Sequence, residues 1–152
     1  MFFQNSTETL SATEKAVHVY LDSSGSMSDE IVDFVVALLL GSGGVVSQPV
    51  YLFASKIKPV GLKQLKAGFR LSGGTSINKV LDHAREKKFK RFIVVTDGYV
   101  ENISSVKKNY LETADMFVVF ENSVQSELSY YAVKSWSGLR RYIKNGEPVG
   151  VV

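Results

Sequence analysis

Short and nearly continuous apolar runs recur along the chain and predict buried β-strands. The runs are AVHVYL (16–21), VYLF (50–53), RFIVV (91–95), MFVVF (116–120) and LRRYI (139–143). Most are rich in β-branched and aromatic residues, which is typical of strands covered on both faces in a parallel sheet. The pattern therefore predicts a central, mainly parallel sheet.

Helical patterns lie between these runs. The segment IVDFVVALLL (31–40) predicts a helix that is apolar on nearly every side. Ser28 is its candidate cap, Asp29 and Glu30 suit the positive end of the helix dipole, and Gly41 is a stop signal.

A second helix is predicted from SINKVLDHAREKK, in which apolar residues recur on one helix face. They are Ile77, Val80, Leu81 and Ala84. Weaker patterns over 103–110 and 124–132 suggest two more helices. Because strands and helices alternate, the predicted class is α/β, with a doubly wound, mainly parallel sheet flanked by helices.

Composition places the chain among ordinary globular proteins. It has 152 residues, of which 45% are hydrophobic, and a formal net charge of +3. We expect an N-terminal arm over 1–14 and one domain over 15–152. The absence of cysteine excludes disulfides and thiolate metal sites. We recognise no signal peptide and no apolar run long enough to cross a membrane, which favours a cytoplasmic protein.

Three polar, glycine-containing segments follow or face the predicted strand ends. DSSGSM begins at Asp22, TDG covers 96–98, and SGGTS (72–76) leads into the amphipathic helix. Because ligands of α/β sheets bind at the carboxyl ends of the strands, these segments are expected on one rim. Their carboxylate and hydroxyl oxygens suit a hard cation such as magnesium or manganese.

The spacing of the first segment supports a metal site. Asp22, Ser24 and Ser26 are two residues apart, so their oxygens can converge if the turn is extended. Gly25 allows the backbone to turn tightly. Two carboxylates and neutral hydroxyls nearly balance a divalent charge, so the metal would stay able to accept an outside anionic oxygen.

The residues Asp22, Ser24 and Ser26 of DSSGS, Thr75 of SGGTS and Asp97 of VVTDG resemble the metal-ion-dependent adhesion site (MIDAS) of von Willebrand factor type A (vWA) domains. The resemblance implies a Rossmann-like fold with one antiparallel edge strand, which VYLFASKIKPVGL would supply. It also implies three hydroxyl ligands, with the two aspartates binding directly or through water.

The resemblance implies a protein-binding role without catalysis, in which an Asp or Glu of a partner completes the coordination of Mg²⁺ or Mn²⁺. Four residues would flank the metal and form a partner-facing rim: Met27, Ser76, Tyr99 and Val100. Alternatively, Tyr99 and Val100 merely cover the end of the sheet.

The segments DSSGSM and TDGYVEN resemble those of intracellular bacterial vWA domains more than those of adhesion receptors. Similar domains occur in Ro-type RNA-binding proteins and beside MoxR-type AAA ATPases, so such an ATPase or a Ro-like assembly is a candidate partner. The family usually closes with a long helix. Here Asn145-Gly146 instead predicts a hairpin, so the chain departs from the family pattern after residue 120.

Two other functions are open. Basic clusters at 85–91 and 140–141 are either solvated faces or an RNA-binding or other nucleic-acid surface. Asp22 at a strand end also suits phosphotransfer or phosphatase chemistry, although the second acid of such hydrolases is replaced by Ser24. His18 and His83 lack a second histidine at metal spacing and are expected to be packed or solvated.

Overall fold

The structure is a computed structural model that describes residues 16–23, 29–42, 44–68, 71, 73–98, 100–121, 127–137, 143–144 and 147–148. Several predictions fall outside these residues: the arm over 1–14, the cap Ser28, and the strand over 139–143 except for its last residue. The division into an arm and one domain therefore stays a prediction.

The described chain is built around one six-stranded sheet with the order β3-β2-β1-β4-β5-β6. Its strands are β1 (His18–Asp22), β2 (Val50–Phe53), β3 (Ile57–Val60), β4 (Arg91–Thr96), β5 (Asp115–Phe120) and β6 (Lys134–Trp136). All neighbouring strands pair in parallel except β2 and β3, which are antiparallel at one edge. The α/β class, the mainly parallel sheet and the antiparallel edge strand are confirmed.

The helices connect the strands as the sequence pattern predicts, with one addition. They are α1 (Asp29–Gly41), α2 (Leu62–Lys66), α3 (Ile77–Glu86), α4 (Ser105–Leu111) and α5 (Glu127–Tyr131). The short α2 was not predicted. None of the helices in the described part of the chain is long and apolar enough to cross a membrane.

The sixth strand was not predicted. It is Lys134–Trp136, whereas the sequence pattern predicted a strand at 139–143, most of which lies outside the described residues. The physical reason is its position: β6 pairs only with β5 in the sheet, and Lys134 and Trp136 are both exposed. A half-exposed edge strand needs no apolar run, which was the signal used.

The alternation of side chains along the strands creates two cores of different character. The face beneath α1 and α2 is mostly aliphatic, and the face beneath α3, α4 and α5 is largely aromatic. On β1, Val19 and Leu21 belong to the first core, and Tyr20 belongs to the second. By the two-residue period of a strand, Asp22 points to the same face as Tyr20.

A small hairpin ends the described chain. Strands β7 (Ile143–Lys144) and β8 (Glu147–Pro148) pair antiparallel and lie beside α1. The Asn-Gly dipeptide stands between these two strands in the sequence, where a hairpin turn was predicted. The predicted hairpin is therefore confirmed by its strand pairing.

Candidate functional site

Asp22 and Asp97 lie at the ends of neighbouring parallel strands. The register pairs Leu21 with Val95, so Asp22 closes β1 and Asp97 directly follows β4. Strand order reverses between β1 and β4, which makes this the switch point where α/β sheets bind ligands. Both side chains are almost fully buried, with Asp22 1% and Asp97 5% exposed.

Thr96, which directly precedes Asp97 in the chain, contacts Asp22. Its hydroxyl donates a hydrogen bond to Asp22 Oδ2 at 2.7 Å and accepts one from the Gly98 amide at 3.1 Å. Gly98 has a φ of 94°, a conformation that favours glycine and bends the chain sharply after Asp97. Sequence reasoning gave Thr96 no role of its own, because threonine is a common strand residue.

Thr75 lies in a loop that is fixed against the end of β2. The Ser76 amide donates to the Ala54 carbonyl at 2.8 Å. Gly73 has a φ of 107°, and a Cβ there would come within 3.0 Å of Ser55 Oγ, so a larger residue would disturb this close approach. The structure thus places Thr75 on the same rim as Asp22 and Asp97, and its side chain is half-buried.

Ser23 anchors the same loop to β1. Its amide donates to the Phe53 carbonyl at 2.9 Å, which extends the contact between the β1 and β2 ends. Its hydroxyl accepts a hydrogen bond from the Leu71 amide at 2.7 Å. Sequence analysis gave Ser23 no role, because nothing in DSSGSM distinguishes it from the other serines.

Ser76, predicted as a rim residue, caps helix α3. Its hydroxyl donates to Glu101 Oε2 at 2.7 Å and accepts a longer bond from the Lys79 amide at 3.4 Å. The Ile77 amide donates to Glu101 Oε1 at 2.7 Å. Burial acts to raise the pKa of Glu101, but the hydrogen bonds from Ser76 and Ile77, with smaller contributions from its own amide and from Asn78, together outweigh burial and lower the pKa.

The other rim residues are only partly described. Val100 is half-buried and packs against the aromatic core. Met27 and Tyr99 lie outside the described residues, as do Ser24 and Ser26 of the predicted ligand set. Three of the five predicted ligands, Asp22, Thr75 and Asp97, are therefore placed on one rim.

A further acid, Glu121, lies at the same edge of the sheet. It directly follows β5, is 1% exposed, and its amide donates to the Thr96 carbonyl at 2.9 Å. The same strand-end rule that selected Asp22 would have found it. Within the described part of the chain, no three His, Cys, Asp or Glu side chains form a cluster that could hold a metal ion. The predicted set is of another kind, with two carboxylates and three hydroxyls.

Both histidines are packed against aromatic rings, away from the carboxyl ends of the strands. His18 stacks on Phe89 with ring centroids 3.5 Å apart, and His83 Nδ1 lies 2.7 Å from the Tyr20 hydroxyl. Burial, with a smaller contribution from His83, lowers the pKa of His18 to about 4. His83 is half-buried in the structure.

The basic cluster at 85–91 is partly neutralised. Arg85 pairs with Asp82 at 3.2 Å, and Arg91 lies 3.8 Å from Asp115. Phe89, the cluster's one aromatic residue, is 7% exposed and is therefore poorly placed to stack on a base. Three lysines of the cluster are exposed: Lys87, Lys88 and Lys90. Arg140 and Arg141 lie outside the described residues.

The fold and its strand-end side chains define a Rossmann-like α/β protein with buried acids at the switch point of its sheet. Comparison with protein-family models and with curated proteins finds no match to this chain.

Proposed function

We propose that this chain is a metal-dependent protein-binding domain of the vWA type. In this proposal Asp22, Ser24, Ser26, Thr75 and Asp97 hold a magnesium or manganese ion as a MIDAS. The bound ion then captures an Asp or Glu carboxylate of a partner protein. The observation that carries the proposal is the position of Asp22 and Asp97 at the ends of neighbouring strands at the switch point of the sheet, where the Thr96 hydroxyl donates to Asp22.

Burial of the two aspartates supports a cationic ligand. Carboxylates with 1% and 5% exposure have lost most of their hydration, and a bound cation is one interaction that compensates for this loss. The Thr96 bond stabilises one oxygen of Asp22. A divalent ion bound by both carboxylates would add the strongest compensation and would remain able to accept another carboxylate oxygen.

The donor chemistry favours hard cations. Carboxylates and hydroxyls are the oxygen ligands that Mg²⁺ and Mn²⁺ prefer, and the chain offers no cysteine. Both histidines are engaged with aromatic rings of the core. In this proposal the site residues bind the ion, their two carboxylates neutralise most of its charge, and one coordination position stays free for the partner carboxylate.

Thermal unfolding with and without Mn²⁺ tests the metal site. At a metal concentration about 100 times the dissociation constant, the wild type should gain about 2.7 kcal/mol of stability over the EDTA-treated protein. Asp22→Asn should lose this gain, because it removes the charge while keeping an oxygen that accepts from Thr96. In EDTA the variant should unfold close to the wild type, which separates metal loss from misfolding.

Asp33→Ala is the matched control, because Asp33 lies on the exposed face of α1. It removes the same charge and should retain the full Mn²⁺ response. An equal Mn²⁺ response in the wild type and Asp22→Asn would contradict the proposal. Carboxylate capture is then measured from the water-proton relaxation rate of the Mn²⁺ complex. Acetate should lower this rate, because it displaces water bound to the ion. A rate that acetate leaves unchanged would contradict carboxylate capture.

A further inference from the structure

Glu101 joins two loops of the candidate site. It lies in the segment after β4 that also holds Asp97, and its carboxylate reaches the start of α3. There Oε2 accepts from the Ser76 hydroxyl and Oε1 accepts from the Ile77 amide, each at 2.7 Å. Ser76 and Ile77 directly follow Thr75, so Glu101 fixes the chain where the Thr75 loop leads into α3.

Thr75 is held from the opposite side as well. The Ser76 amide donates to the Ala54 carbonyl after β2 at 2.8 Å. The segment around Thr75 is thus fixed both to the β2 end and, through Glu101, to the loop that carries Asp97. Removal of the Glu101 carboxylate would release Ser76 and Ile77 from the loop that carries Asp97.

Asn78 makes a second junction between the same two segments. Its amide nitrogen donates to the Asn102 carbonyl at 2.8 Å, and its amide oxygen accepts from the Ser104 amide at 2.9 Å. These bonds lie farther from Thr75 than those of Glu101. Asn78→Ala loosens the junction and also removes a side-chain interaction with the Glu101 carboxylate, but it leaves the Ser76 and Ile77 bonds to Glu101 in place.

We propose that Glu101 is a positioning residue of the candidate metal site. It fixes the position of the Thr75 loop relative to the Asp97 loop. The proposal rests on the proposed function, because the relative position of the two loops affects metal binding only if Thr75 and Asp97 bind the same ion. Glu101 acts through Ser76 and Ile77 and is not itself a ligand. Its substitution should therefore weaken metal binding through geometry and not through loss of ligand charge.

The choice of variants follows from the hydrogen bonds. A carboxylate offers two acceptor oxygens, one for the hydroxyl and one for the amide. In Glu101→Gln the amide oxygen can still accept from Ile77, and the amide nitrogen can donate to the Ser76 hydroxyl oxygen. Glu101→Gln should therefore preserve the contacts with Ser76 and Ile77, whereas Glu101→Ala removes both.

Mn²⁺ affinity, measured from the electron paramagnetic resonance signal of free Mn²⁺, tests the proposal. We expect Glu101→Ala to weaken binding about tenfold, and Glu101→Gln and Asn78→Ala to stay within about threefold of the wild type. Hydrogen exchange in EDTA gives a readout without metal: the Ile77 amide should exchange faster in Glu101→Ala alone. Thermal unfolding in EDTA checks that each variant is folded.

The possible results separate the two proposals. If the wild type binds Mn²⁺ and Glu101→Ala binds it equally well, Glu101 is not a positioning residue, and the proposed function stands. If Glu101→Gln loses as much affinity as Glu101→Ala, the charge itself is required, and positioning through hydrogen bonds is wrong. If the wild type binds no Mn²⁺, the proposed function and this inference both fail.

Discussion

The two faces of the sheet bury different chemistry. Beneath α1 and α2, the strands contribute mainly Val, Leu and Ile, and Phe117 is the one aromatic residue of that buried core. Beneath α3, α4 and α5, the core contains Tyr20, Tyr51 and several phenylalanines. The first face can be explained by packing alone, and the second also contains hydrogen-bonded polar groups.

The difference is clearest along β1. Its residues on the aliphatic face are Val19 and Leu21, both 0% exposed. The opposite face presents His18, Tyr20 and Asp22 in turn, from the amino end of the strand to the candidate site. Each of these three has a specific partner: Phe89 by stacking, His83 by a 2.7 Å contact and Thr96 by a hydrogen bond. One strand therefore serves both packing and the candidate function, through alternate residues.

The largest expected effect comes from exchanging threonine and valine between the faces. Thr96→Val keeps the shape but removes the donor to Asp22 Oδ2 and the acceptor for the Gly98 amide. We expect a loss of about 2–3 kcal/mol, because a hydrogen bond to a buried charge is lost. Urea unfolding in EDTA measures this change without any contribution from metal.

Val95→Thr is the matched exchange on the aliphatic face, where Val95 is 1% exposed. It should cost about 1–3 kcal/mol, because it buries a hydroxyl among apolar side chains. The two exchanges are nearly isosteric and opposite in chemistry, yet both should destabilise. A Thr96→Val protein as stable as the wild type would show that the polar bond at Asp22 contributes nothing to the fold.

The next effect is a dependence of stability on pH that comes from the aromatic face. Burial lowers the pKa of His18 from 6.5 to about 4, so the folded protein favours the neutral imidazole. The unfolded chain then binds more protons between these values, and the free energy of unfolding falls as the pH falls from 6.5 to 4. Because His18 is only half-buried, we expect a loss of about 1–2 kcal/mol, well below the full linkage value.

Urea unfolding at several pH values checks this expectation in the wild type and in His18→Phe. The variant retains a ring to stack on Phe89 but cannot titrate, so its stability should change less between pH 6.5 and 4. Carboxylates that titrate in the same range affect both proteins and cancel in the comparison. Identical pH profiles would mean that His18 does not contribute to acid destabilisation.

Most of the fold was predictable from local patterns. VYLF coincides with β2, and the apolar helix ends at Gly41 as its stop signal indicates. These elements have strong signals because they are buried and bounded by clear breakers. The edge strand β6 was missed because Lys134 and Trp136 are exposed, so it has no apolar run. Strand β6 is stabilised by its pairing with β5, and a local sequence pattern does not reveal such pairing.

The candidate site was predictable in its acids but not in its supports. Asp22 and Asp97 stand out because a charge directly after an apolar strand is unusual. Glu101 does not stand out, because its role depends on contact with Ser76, 25 residues earlier in the chain. Thr96 is inconspicuous for another reason, since threonine is a common strand residue. The supporting residues emerge only when separate loops are brought together by the fold.

The smallest expected effect tests whether the aromatic face depends on a specific polar bond or on ring packing alone. Tyr20→Phe keeps the ring, whose centroid lies 5.3 Å from Tyr51 and 5.7 Å from Phe92, but removes the hydroxyl that contacts His83 Nδ1. We expect a loss of about 0.5–1.5 kcal/mol in urea unfolding at pH 7.5, typical of one hydrogen bond.

Tyr51→Phe is the control, because Tyr51 is paired with Tyr20 in register and the described residues provide no hydrogen bond to its hydroxyl. The control should change stability by less than about 0.5 kcal/mol. Equal losses in both variants would mean that the aromatic face is stabilised as nonspecifically as the aliphatic one.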